Sequence, residues 1–155
     1  LEKLDRGQYD AVMLAAAGLT RLGLADRITQ RLPTEKIYPA VGQGALGLEA
    51  RADDPPIHRA ARLLDDPATH QAVLAERALL AALRGGCLAP VGAWGRTHGE
   101  DVLRLDAVVL DPTGRQRITV TVQGSPADAA DLGRQAATEL LGQGAAQLIA
   151  ASRNP

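Results

Sequence analysis

The stretch VLRLDAVVLDPTGRQRITVTVQ, residues 102–123, decides the fold of this 155-residue chain. Leu103, Leu105, Ala107 and Val109 recur at every second position. After Asp111-Pro112-Thr113-Gly114 the pattern resumes with Ile118, Val120 and Val122. Period-two alternation predicts half-buried strands, and Asp-Pro-Thr-Gly predicts the turn that joins them. The run VGAWGR, from Val91, reads as a third strand. Upstream, Asp66 is placed to cap a helix with Pro67 at its first position. Ala68, Ala72, Ala75, Leu79 and Ala82 then repeat at helical spacing, and Gly85 and Gly86 are expected to stop it. Downstream, Ser125-Pro126 with Asp128 opens a last long helix whose stripe is Ala129, Leu132, Ala136 and Leu140. The C-terminal part is therefore predicted as a three-stranded antiparallel sheet packed by helices, an α+β domain.

The first third reads differently. Residues 1–8 resemble a helix end stopped near Gly7, and Ala11–Ala15 a short buried strand. Residues 18–28 read as short helical turns broken at Gly23. A linker with Pro39 and three glycines surrounds Gln43 and is expected to feed a strand over Ala45–Leu48. Pro55 and Pro56 suit the first turn of a helix reaching Leu64.

A chain this long buries roughly 68–70% of its unfolded surface, enough for one ordinary core or for pieces of two. Trp94, Tyr9 and Tyr38 are its only aromatics, so that core is aliphatic. A net charge of −1 gives no strong field for nucleic acid or an anionic membrane. No apolar run approaches the ~20 residues of a membrane span, and no signal peptide opens the chain. The single cysteine excludes an internal disulfide and a multi-cysteine zinc site, and it fits a reducing, cytoplasmic compartment. A chain that begins at Leu1 and runs straight into an element reads as a piece of a longer protein.

Few residues carry chemistry. Cys87 follows Gly85-Gly86; it reads either as a small buried hydrophobe or as a nucleophile or attachment point on a mobile tether. Arg21 reads as a solvated surface charge or as a guanidinium fork for a carboxylate. Val41-Gly42-Gln43-Gly44 lacks the spacing of a phosphate loop and reads as a hinge. Asp53-Asp54 and Asp65-Asp66 precede prolines and are better explained as helix caps than as paired catalytic acids. His58, His70 and His98 form no ligand pair at i, i+4, so no metal is assigned.

Three stretches together are more specific: KLDRGQYDAVMLAAAGLTRLGL (3–24), IYPAVGQGALGLEAR (37–51) and AERALLAALRGGCLAPVGA (75–93). In order and spacing they resemble the porphobilinogen deaminases, also called hydroxymethylbilane synthases. The resemblance covers nearly the whole chain. It implies a transferase that condenses four porphobilinogen molecules into a linear tetrapyrrole, releasing ammonia each time, for porphyrin and heme biosynthesis. It implies a covalent dipyrromethane cofactor on Cys87 through a thioether, with Gly42, Gln43 and Gly44 beside that cofactor. Arg21 matches a family arginine that contacts the acetate and propionate groups of the pyrroles.

The same resemblance implies an architecture. Residues 1–38 would end the second of two periplasmic-binding-protein-like α/β lobes, and 39–62 would hold the inter-lobe crossing and last elements of the first. Residues 63–155 would form the C-terminal α+β domain that carries the cofactor cysteine. The family's catalytic carboxylate lies in an N-terminal half that this sequence does not contain, so no catalytic residue is assigned. The chain alone is expected to be inactive, its partners being the missing half, porphobilinogen and the growing tetrapyrrole, in an enzyme that works as a monomer. The family commonly has an acidic residue where Arg84 stands. A non-catalytic ligand-binding or interaction fragment is the alternative.

Overall fold

The computed structural model describes residues 1–86, 89–99 and 101–152. The chain divides into two compact units, Leu1–Ile37 and Tyr38–Pro155.

In the first unit, helix α1 spans Glu2–Asp5 and helix α2 Ala16–Arg21, followed by a 3-10 turn at Ala25–Arg27. The Arg27 guanidinium pairs with the Asp5 carboxylate. Helix α1 stops just before Gly7, and Gly23 follows the end of α2 with a left-handed φ of 71°, as the sequence predicts. The strand expected at Ala11–Ala15 is not formed. A strand needs a neighbour for its N–H and C=O groups, and among the described residues none pairs with this segment. Val12, Met13 and Leu14 are exposed instead.

The second unit holds the core. Just after Tyr38 the chain makes an isolated bridge, between Ala40 and Gly92. The strand expected at Ala45–Leu48 is absent for the same reason, and Leu46 is 93% exposed. Helix α3 spans Pro55–Arg62 and helix α4 Pro67–Ala82. The aspartates before their prolines act as caps: Asp54 accepts from the Ile57 N–H at 3.2 Å and Asp66 from the Thr69 N–H at 2.7 Å.

Strands β1 (Val91–His98), β2 (Val102–Leu110) and β3 (Arg117–Gly124) form one antiparallel sheet in that order. Helix α5 spans Ala129–Gly142 after a 3-10 turn, and helix α6 spans Ala145–Ala151. The sequence reading did not foresee α6, whose N-cap is Gly144 in the left-handed region.

Side-chain size explains how these layers meet. Register places Gly95 opposite Leu105 and Leu105 opposite Val122; one step on it aligns Ala93, Ala107 and Val120. The small residues lie on β1, where α4 presses. A Cβ on Gly95 would lie 2.9 Å from the Ala72 carbonyl oxygen. A Cβ on Gly133 of α5 would run into the Ala75 carbonyl. The alanine stripe of α4 therefore lets that helix lie against β1 and α5 together. Leu79, Leu103, Leu105 and Leu140 fill the space between and are fully buried, each contributing roughly 1.5–3 kcal/mol.

The other face of the sheet carries Trp94, Arg96, Arg104 and Asp106. Asp106, 3% exposed, accepts from Arg104 at 3.0 Å, from Arg96 at 2.6 Å and from the Thr121 hydroxyl. The Arg96 guanidinium stacks 3.6 Å from the Trp94 ring centroid.

Candidate functional site

The turn at Val41–Gly44 is the best-built of the predicted site segments. Gly42 and Gly44 adopt φ of 71° and 87°, which a side chain would strain. The Gln43 N–H donates to the Ala40 carbonyl at 3.0 Å, and the Ala45 N–H to Gly42 at 3.3 Å. Val41 is partly buried against the core and anchors the turn from below. A Cβ at either glycine would meet nothing within 4 Å, so the turn faces open space.

A residue that the sequence reading passed over reaches this turn. Glu76 on α4 is 6% exposed. Its Oε2 accepts the Gly42 N–H at 2.7 Å, and its Oε1 accepts the Gly95 N–H of β1 at 2.7 Å. Burial pushes the Glu76 carboxyl above the ordinary carboxylate range, and the bonds from Gly95 and Gly42 pull it back only in part. The signal was present in the sequence: Glu76 lies four residues after Ala72, on the stripe that otherwise holds alanine and leucine.

Helix α4 does not end as predicted at its glycines. Leu83 is the C-cap and Arg84 takes the left-handed position, with φ of 51°. The Arg84 N–H donates to Ala81 and the Gly85 N–H to Leu80, each at 3.0 Å, the bonding pattern of a Schellman stop. Gly85 serves packing: a Cβ there would lie 2.6 Å from Leu80 Cδ1. Gly86 is exposed with no atom within 4 Å of an added Cβ. A groove of about 420 Å³ beside this helix end is lined by Leu83, Arg84, Leu141 and Ile149. Cys87 lies outside the described residues.

Arg21 is the last residue of α2 and is exposed. Of the predicted site residues, Gly42, Gln43 and Gly44 come together in one turn, tied by Glu76 to α4 and β1. Among the described residues, no helix is long and apolar enough to cross a membrane.

Comparison with known proteins assigns the chain in two consecutive parts. Residues 1–59 match the family model described as porphobilinogen deaminase, dipyromethane cofactor binding domain, and 70–142 the one described as porphobilinogen deaminase, C-terminal domain. Arg21 and the 41–44 turn fall in the first, Glu76 and Cys87 in the second. The chain is 49% identical over 154 residues to a porphobilinogen deaminase of Desulforudis audaxviator, an alignment covering 99% of this chain and 49% of that protein. It is 46% identical over 154 residues to one from Acidithiobacillus ferrooxidans, again covering 99% of this chain and 49% of the relative. The chain thus spans about half the length of the curated relatives it matches. With both successive domains matched in order and nearly every residue aligned, the chain belongs to the porphobilinogen deaminase family.

Proposed function

We propose that this chain forms part of a transferase that condenses four porphobilinogen molecules into hydroxymethylbilane, releasing ammonia at each condensation. The observation that carries this reading is the ordered match to both domains of one family, at close to half identity along the chain. Residues 1–38 are the end of the second periplasmic-binding-protein-like lobe, and 39–62 the inter-lobe crossing with the last elements of the first. Residues 63–155 are the C-terminal domain. The proton-handling carboxylate comes from the other half of the enzyme. This chain alone makes no product, and the complete enzyme works as a cytoplasmic monomer.

The cofactor is a dipyrromethane, which when bound supplies the pyrrole end from which the tetrapyrrole grows. The residues present fit it. Cys87 is the single thiol of the chain and holds it through a thioether. An added Cβ at Gly42, Gly44 or Gly86 would meet no atom within 4 Å, so among the described residues no packed side chain crowds these backbone positions. The exposed Arg21 offers two parallel donors to a pyrrole carboxylate. Intact mass spectrometry of the complete enzyme tests the assignment. The expected result is an added mass of two porphobilinogen units, lost in Cys87→Ser. A turnover-competent protein of unmodified mass overturns it.

A further inference from the structure

We infer that Glu76 is the positioning residue of the Gly42–Gly44 turn, a carboxylate latch that fixes this turn to the edge of the sheet. Strand β1 forms that edge. It pairs with β2 on one side only, so the N–H groups on its other side need partners from elsewhere. Ala93 finds one in the Pro39 carbonyl, at 2.9 Å. Two residues on, Gly95 points its N–H the same way, beyond the single antiparallel bridge that Ala40 makes with Gly92. Glu76 Oε1 takes over there. The missing Cβ of Gly95 allows this, because it lets Ala72 seat against the strand and brings Glu76, one turn further along α4, within reach.

One oxygen would satisfy the edge. The second oxygen does something else: it leaves the sheet and holds the Gly42 N–H. One buried side chain thereby joins three pieces of backbone, namely the helix α4, the strand β1 and the turn. The charge of Glu76 rests on two amide dipoles. An acid retained in so dry a position, where an apolar side chain would pack, is explained by the geometry it imposes on the turn. The consequence for activity rests on the proposed function, in which this turn borders the pyrrole chain.

Amide hydrogen exchange on the 155-residue chain tests the latch without reference to activity. In the wild type, the Gly42 and Gly95 amides should both be protected; a Gly42 amide exchanging at its unprotected rate overturns the proposal, and this measurement needs no variant. In Glu76→Gln, only one oxygen remains for two donors. Exchange at Gly42 should rise about ten- to hundredfold relative to core amides such as Leu105 and Val120. A uniform rise at all amides would mark a merely structural residue and overturn the proposal. In the complete enzyme, the same substitution should raise the KM for porphobilinogen about tenfold with a smaller change in kcat. Unchanged kinetics with a loosened turn overturns the positioning role. A wild-type enzyme that consumes no porphobilinogen instead refutes the proposed function, while the exchange data still decide the latch.

Discussion

Among the described residues two carboxylates are buried, and their surroundings push them in opposite directions. Glu76 sits on the helix side of the sheet and Asp106 on the other face, with 6% and 3% of their surfaces exposed. Glu76 is held by two backbone amides, and burial leaves its carboxyl raised. Burial also pushes Asp106 up, but the bonds from Arg104, Thr121 and Arg96, with the charge of Arg96, outweigh it and hold the carboxyl below the ordinary range. The shifts differ in sign because Asp106 is met by two guanidiniums and a hydroxyl, which outweigh its desolvation, whereas Glu76 lies deeper within the protein and has only two amide dipoles to offset its own. Asp106 is therefore a structural charge, bound up in its own sheet. Glu76 is a destabilised one, and its value lies in what it holds.

Removing Asp106 should break this contrast with the largest effect. Register sets Arg96 directly opposite Arg104, so Asp106→Ala leaves two like charges facing each other across β1 and β2. Both arginines keep some contact with water, so the loss should fall near the low end for a broken buried pair, about 3 kcal/mol. A urea titration reads it as a lower midpoint at unchanged slope. An unchanged midpoint would mean that the cluster is a solvated surface arrangement.

The pH dependence sharpens the same contrast. Asp106 has its pKa lowered by folding, so its stabilisation is present above the unfolded value of about 3.9 and is lost as pH falls through the lower folded value. Glu76 has its pKa raised, so the folded state holds that proton more tightly. Its contribution is full below the unfolded value of about 4.3 and declines as pH rises through the folded one. Urea midpoints measured between pH 3 and 7 should show that Asp106→Asn flattens the loss of stability at the acid end. Glu76→Gln should remove a decline above it. Identical effects of the two substitutions would show that burial, not the chemistry of the donors, sets both shifts.

Most of the C-terminal domain was legible because its signals are local and agree with one another. The alternation over 102–123 specifies β2, the turn and β3, while Asp66-Pro67 and Ser125-Pro126 mark the starts of α4 and of the turn leading into α5. The apolar runs at 11–15 and 45–48 misled because a strand is defined by its neighbour. Periodicity cannot say whether that neighbour exists, and among the described residues it does not. Helix α6 lacked a side-chain cap and was too short to show a stripe. At the end of α4 the glycines drew the stop one residue late, since Arg84 bears the left-handed conformation that glycine usually takes. Within the candidate site, the turn was visible as three glycines around Gln43. Glu76 was hidden because its partners are backbone amides, distant in sequence and carrying no residue signature.

The smallest effect is expected at Thr121, and it separates charge from hydrogen bonding. Its hydroxyl donates to the same Asp106 oxygen that Arg104 contacts, while the residue itself is exposed. Thr121→Val keeps the branched shape and strand preference and removes only that neutral donor. Asp106 keeps its bonds from Arg96 and Arg104. A neutral donor among charged ones should be worth about 0.5–1 kcal/mol, lowered further by water that can replace it. The urea midpoint should drop slightly, and the acid limb should move much less than it does in Asp106→Asn, because the two guanidiniums together lower the Asp106 pKa more than the hydroxyl does. A shift of that limb as large as the one caused by Asp106→Asn would assign the control of this carboxylate to the hydroxyl. The distinction drawn between Asp106 and Glu76 would then rest on the number of donors, not on their charge.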